Sequence, residues 1–308
     1  MKRWFGLIVI LLAVGLCKST AMAADTKDVV IALGADLSDS QRATVLELMG
    51  LTEEDLKNCT VIYITNSMEH EYLDSYLGAS VIGSKSLSSV KLTKASAGTG
   101  VVVTTQNINY CTTGMYRNAL MTAGMEDTEV LVVAPTAISG TAGLIGALKA
   151  YEVMSDKTVS DAVFDTSLDE MITTGELAES IKDADSEEVE SLIAWLKGKI
   201  AGGELDTGDE ASVKEIIKEG EELFGISLTE EEKKQIISLL KKLDSIGLDA
   251  DYLIEQAQKL YDKYGLELVE NANEAINEAV ENAFTTAVDN FFKGIKTSVS
   301  NFFKSIFS

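Results

Sequence analysis

Val130-Leu-Val-Val-Ala134, closed by Pro135 and followed by Ser139-Gly-Thr-Ala-Gly-Leu-Ile-Gly146, is the stretch that decides the fold. An unbroken apolar run rich in valine suits a strand covered on both faces, because a strand wetted on one face would alternate. Pro135 is the only proline in the chain and lacks a backbone N–H, so it is read as the end of that strand. Ser139 to Tyr151 reads as a helix rich in small residues. Gly140, Gly143 and Gly146 recur every three residues, which lets the helix lie close against a sheet. The competing reading is anion capture by the free N–H groups of the helix start. The lysine of a phosphate loop is missing, however, and the glycine spacing is not that of a dinucleotide fingerprint.

The same grammar extends toward the N-terminus. Val29 to Leu33 is an apolar run ended by Gly34, and Ser38 and Gln41 have capping-box spacing before a helix that stops at Gly50. Val61 to Thr65 is the next strand, and Ser67 is expected to cap a short helix ending near Gly78. Ser86 to Lys94 alternates, and Gly98 and Gly100 allow a turn into Val101–Thr105, so Ser86–Thr105 reads as an antiparallel hairpin. Thr112 or Thr113 begins a helix through Met121. Strands alternating with helices indicate an α/β domain, and the hairpin makes its sheet mixed.

Beyond about residue 155 no strand is legible. Val189, Leu192, Ile193, Leu196 and Ile200 share a helical face, as do Val213, Ile216, Ile217, Leu223 and Phe224, and Ile236, Leu239, Leu240, Leu243 and Ile246. Gly225-Ile226, Gly247-Leu248 and Gly265-Leu266 have the form of left-handed helix stops, and Thr229 with Glu232 forms a capping box. The expected organisation is a segment 1–23, an α/β domain over 24–155, a helical domain over 156–270 and an amphipathic C-terminal helix over 271–308.

The first segment has the pattern of an export signal. Lys2 and Arg3 precede an apolar run from Trp4 to Leu16 that is short for a membrane span, and Ala21-Met-Ala23 is a small-x-small cleavage site. Leu16 is too large for lipid attachment at Cys17. Cleavage would remove Lys2, Arg3 and Lys18 and take the net charge from −23 to −26. So acidic a chain repels nucleic acid. Its 46% apolar content argues against disorder. Cys59 and Cys111 remain, and export permits a disulfide between them; the alternative is two small buried residues.

A resemblance joins these readings. Ile82-Gly-Ser-Lys-Ser-Leu-Ser-Ser-Val90, Asn107-Ile-Asn109, Met115-Tyr-Arg-Asn-Ala-Leu-Met-Thr-Ala-Gly124, Ala134-Pro135 with Ser139-Gly-Thr-Ala142, and Lys149-Ala-Tyr-Glu152 resemble the YpuA-like secreted proteins of Gram-positive bacteria. Thr65-Asn66 and Tyr72-Leu73 match as well. The resemblance spans about residues 26–200 and implies export and a domain outline. The family is one of unknown function, so it implies no catalytic residue, ligand or partner.

In α/β sheets ligands gather beyond the carboxyl ends of the strands. The expected strand ends deliver Asp36, Asn66, Glu69, His70, Asn107, Asn109, Ser139 and Thr141, whose convergence would form a polar cleft. The plainer reading is that each caps a helix or closes a turn. His70 is the only histidine, so a hydrolytic triad would have to join it to Ser139 or Ser67, with Glu69 or Asp36 behind. No nucleophile elbow is present. Ser88-Ser-Val-Lys91 matches Ser-x-x-Lys but lies on a strand without its partner motifs. Asp206-Thr-Gly-Asp209 lacks the ligands of a calcium loop and reads as a linker and helix cap. One histidine and two separated cysteines give no zinc site, and no cofactor is expected.

The C-terminus repeats itself. Val288-Asp-Asn-Phe-Phe-Lys-Gly-Ile295 recurs eleven residues on as Val299-Ser-Asn-Phe-Phe-Lys-Ser-Ile306. Eleven residues make three turns at about 3.67 per turn, close to the natural helix. Phe284, Val288, Phe291, Phe292, Ile295, Val299, Phe302, Phe303 and Ile306 then share one stripe flanked by Lys293, Lys296 and Lys304. This suits reversible contact with a membrane surface or a protein partner, a second copy included; the bland alternative is packing on the chain's own helices. The sequence therefore leads to a non-enzymatic exported or cell-envelope binding protein. An extracellular hydrolase and a self-assembling structural protein are the alternatives.

Overall fold

The computed structural model describes residues 28–182, 184–248 and 253. The export segment and the terminal repeat lie outside the described residues. Five strands form one sheet: β1 (Val29–Gly34), β2 (Thr60–Ile64), β3 (Ser89–Lys94), β4 (Val101–Ile108) and β5 (Thr128–Ile138), in the order β2-β1-β3-β5-β4. β1 and β2 are parallel, β4 and β5 are parallel, and β3 runs antiparallel to both its neighbours. Four strands therefore share one direction, and all four end at the edge of the sheet where β3 begins.

The sheet is mixed, as expected, but the hairpin between Ser86 and Thr105 does not form. β5 inserts between β3 and β4, so the turn at Gly98 and Gly100 carries β4 past its expected neighbour. The valines of β5 explain the preference, since only a central strand covers both faces of Val130, Val132 and Val133. β5 also continues through Pro135 to Ile138, which corrects the expected stop. The β4–β5 ladder breaks between Gln106 and Ile108, and Pro135 falls in that break. Here no ladder hydrogen bond is asked of its missing N–H.

The helices are α1 (Asp39–Leu48), α2 (Asn66–Leu73), α3 (Ala79–Ile82), α4 (Thr113–Thr122), α5 (Thr141–Ser155), α6 (Asp161–Ser180), α7 (Ser186–Ala201), α8 (Glu210–Phe224) and α9 (Glu230–Ser245). The capping boxes read at Ser38–Gln41 and Thr229–Glu232 are formed, and Gly225 and Gly247 stand at φ 67° as left-handed stops. α2 is capped by Thr65 rather than Ser67, two residues earlier than expected. The cap must be the last extended residue after β2, and Ser67 is already helical.

Alternate residues of β1 go to opposite faces. Val30 and Ala32 join a large core with α2 to α6, while Ile31 and Leu33 join a smaller one beneath α1. A Cβ on Gly143 would come within 2.7 Å of Val132 Cγ1, and one on Gly146 within 3.2 Å of Ala32 Cβ. The glycine series is thus a packing device that brings α5 down onto the sheet. Among the described residues no strand follows β5, but the sheet's core continues beyond residue 155. Phe164, Leu168, Met171 and Ile172 of α6 belong to the sheet's core, and Leu177 near its end belongs to the core of α7, α8 and α9.

Candidate functional site at the strand ends

Three segments meet where the parallel strands finish. Asn66 and Glu69 sit in the first turn of α2 just past β2, Ser139 lies between β5 and α5, Thr141 is the first residue of α5, and Ser86 lies on the segment leading into β3. Glu69 is at the centre, only 1% exposed, and accepts a hydrogen bond from Thr141 Oγ1 at 3.2 Å. Burial pushes its pKa up to about 7; the nearby Ser86, Thr141 and Asn66 groups, favouring the charged form, offset part of that rise. The Ser86 hydroxyl lies near this carboxyl without the geometry of a formed hydrogen bond. Glu69 Oε1 and Ser86 Oγ are both buried without a partner. Such orphan pairs are costly and uncommon in folded proteins.

The surrounding groups hold the cluster. Asn66 Nδ2 donates to the Gly83 carbonyl at 3.3 Å, and Ser139 Oγ donates to the Val81 carbonyl at 3.0 Å. Asp36 clasps the same segment: its carboxylate accepts from Ser86 N–H at 2.8 Å, and its own N–H donates to the Ser86 carbonyl at 3.1 Å. Tyr116 Oη donates to the Gly140 carbonyl at 2.5 Å, fixing the left-handed residue from which α5 starts. Burial holds the Tyr116 hydroxyl well above its ordinary pKa, with Cys111 and Glu69 adding to the rise.

Of the residues expected in the cleft, Asn66, Glu69, Ser139 and Thr141 come together, and Asp36 joins through Ser86. His70 does not. It stands partly exposed, with Nδ1 2.6 Å from Asp74, and that hydrogen bond raises its pKa. Asn107 on β4 and Asn109 just past its end are both exposed. Asn107 adopts φ 60° and donates through Nδ2 to the Ala134 carbonyl at 2.8 Å, so it shapes the bulge beside Pro135. The Ser139 hydroxyl is spent on a carbonyl and the histidine on Asp74, so the relay that a hydrolytic triad needs is not in place.

Other expectations resolve locally. Cys59 and Cys111 are free thiols, and the bridge between them is not formed. Cys111 belongs to the core on one face of the sheet and Cys59 to that on the other, so the sheet separates them. Lys91 Nζ donates to the Met49 carbonyl at 2.7 Å while Ser88 is buried, which leaves Ser-x-x-Lys as strand structure. Asp209 caps α8 and Thr207 donates to Asp244. Among the described residues no group of three histidine, cysteine or acidic side chains could hold a metal ion. No helix among them is long and apolar enough to cross a membrane.

Ser86 and Tyr116 were not anticipated. The serine run from Ser84 to Ser89 was a signal for the first; Tyr116 had none beyond its place in an apolar helix. A second polar seam was also missed. Lys197 of α7 donates to Glu170 at 2.7 Å, to Thr122 at 2.9 Å and to the Asn118 carbonyl at 2.8 Å, all in the interior. Thr112 donates to Glu190, and Asn118 Nδ2 donates to the Glu190 carbonyl at 3.0 Å, joining α4 to α7 two turns before Lys197.

The fold and the strand-end cluster define a class: an α/β protein with a mixed five-stranded sheet and a helical region sharing its core through α6. The chain belongs to the family described as "Protein of unknown function (DUF1002)", whose family model matches residues 33–260. It is 36% identical over 263 residues to "Uncharacterized protein YpuA" of Bacillus subtilis (strain 168), covering 85% of this chain and 88% of that protein. No solved structure matches it.

Proposed function

We propose that this chain is an exported, non-enzymatic binding protein that takes a small polar ligand at the strand ends around Glu69. The observation that carries the reading is the pair of buried, unpartnered atoms, Glu69 Oε1 and Ser86 Oγ. An acceptor and a hydroxyl together suit a ligand that offers a hydrogen-bond donor, such as an ammonium or amine group. Burial with a pKa near 7 makes binding responsive to pH near neutrality. Ser84 and Lys85, at the exposed tip of the segment that covers Ser86, mark the side from which a ligand would enter. The test is thermal stabilisation of the wild type and Glu69→Gln by ammonium, sodium and free amino acids. Stabilisation of the wild type alone supports the site; no response, or equal responses, sinks it.

The residues 284–308 supply attachment in this proposal. Their apolar stripe and lysines oppose the acidity of the rest of the chain, which favours contact with an anionic membrane surface. Deleting them should abolish flotation with anionic liposomes. Unchanged flotation would remove membrane contact from the proposal while leaving the Glu69 site untouched.

A further inference from the structure

Residues 83–87 cross from α3 toward β3 without helix or strand. Ile82 just before them belongs to the large core, but none of the five joins a core. Ser84 and Lys85 are exposed, Leu87 is half-buried and Ser86 is closed to solvent. Polar contacts hold the segment down. The Asp36 carboxylate accepts from Ser86 N–H at 2.8 Å, Asp36 N–H donates to the Ser86 carbonyl at 3.1 Å, and Asn66 Nδ2 donates to the Gly83 carbonyl at 3.3 Å. Gly34 leaves room for the crossing, since a Cβ there would come within 2.4 Å of the Ser86 carbonyl oxygen. Where the segment leaves α3, Gly83 adopts φ 80° and ψ −171°, a combination essentially confined to glycine. A Cβ on Gly83 would meet nothing within 4 Å, so the torsion and not packing calls for glycine.

We propose that residues 83–87 are a lid over Glu69 that swings on Gly83, with Asp36 as its latch. What the lid admits rests on the reading of Glu69 as a binding site; its motion does not. Closure leaves Glu69 Oε1 and Ser86 Oγ buried without partners, which works against the closed state. Lifting the segment gives both atoms water. A ligand with N–H donors satisfies both with the lid down, so it draws the lid shut by binding the closed state better than the open one. A segment without core contacts opens locally at far less cost than the strands beneath it. Asp36 touches the lid and not the ligand, which makes it a positioning residue.

Thiol labelling of the full chain tests this. Ser86→Cys, in a chain that also carries Cys59→Ser, places a thiol on the underside of the lid. Cys111, 2% exposed within the core, reports global unfolding in the same sample. Iodoacetamide should modify the thiol at position 86 at least about tenfold faster than Cys111. Asp36→Ala weakens the latch, and Gly83→Ala strains the closed hinge without a steric clash. Each should raise the labelling rate at position 86, relative to that of Cys111, by about tenfold. A thiol at position 86 that reacts no faster than Cys111 overturns the proposal, as does a relative rate that ignores either substitution. These rates are read without ligand. Failure of ammonium to stabilise the wild type would therefore remove the binding reading and leave the lid, whereas a position 86 locked at the Cys111 rate removes the lid and leaves the binding reading.

Discussion

The Lys197 ammonium lies 2.7 Å from the Glu170 carboxylate, with both side chains closed to solvent. Burial raises the pKa of Glu170 and lowers that of Lys197, so each group is pushed toward neutrality while its partner pulls it back. Breaking such a pair from one side strands a buried charge, which costs about 3–5 kcal/mol; replacing both partners by apolar residues is often close to neutral. Lys197→Met is therefore expected to destabilise the chain by about that amount, with most of the loss recovered in the Lys197→Met, Glu170→Leu double variant. Urea unfolding of the three variants (two single, one double) and the wild type measures the cycle. A double variant no better than the singles would show that the pair is not the cause.

Glu69 predicts a pH dependence of definite sign. Its pKa is raised from 4.5 to about 7 on folding, so the folded state holds the proton over a range where the unfolded state has lost it. Stability from this group is fully present below about pH 4.5 and falls as pH rises toward about 7. The loss amounts to at most about 3 kcal/mol. Glu69→Gln should flatten the profile between those limits. Identical pH profiles for variant and wild type would contradict the placement of Glu69.

The two cysteines should react very differently. Burial pushes the Cys111 thiol up to about 12, and its side chain is enclosed, whereas Cys59 is partly exposed with a smaller rise. Iodoacetamide is expected to label Cys59 in the native protein and Cys111 only after denaturation. Peptide mapping after air oxidation should find no Cys59–Cys111 bridge.

Gly143 and Gly146 differ in how close the sheet comes. Gly143→Ala drives a methyl to 2.7 Å from Val132 Cγ1, while Gly146→Ala meets Ala32 Cβ at 3.2 Å. Overpacking of this kind costs about 1–3 kcal/mol, so Gly143→Ala should lower the melting temperature more than Gly146→Ala. The opposite order would mean that α5 lies over the sheet differently.

Much of the site was legible because strand and helix boundaries are local. The residue following an apolar strand must be polar or small, and that logic located Asn66, Glu69, Ser139 and Thr141. It overreached with His70, Asn107 and Asn109, whose side chains point to solvent or to the bulge of their own strand pair. It passed over Ser86, because a serine in a run of serines carries no mark of burial. Lys197 and Glu170 were hidden for a related reason: each lies on a helix among charged neighbours, and only their meeting in the interior distinguishes them.

By itself the sequence determined the elements. Apolar runs, capping boxes at Ser38 and Thr229, and glycine stops at Gly225 and Gly247 follow from hydrogen bonds and torsions within a few residues, which a linear reading can follow. Tertiary structure alone decided which strands became neighbours. β5 displaced the expected hairpin because burying both of its faces outweighs the short turn that would have joined β3 to β4. It also decided that Cys59 and Cys111 lie on opposite faces, that α6 serves two cores, and that Glu69 is enclosed. Each depends on contacts between residues distant in sequence, whose energies exist only once the chain has folded.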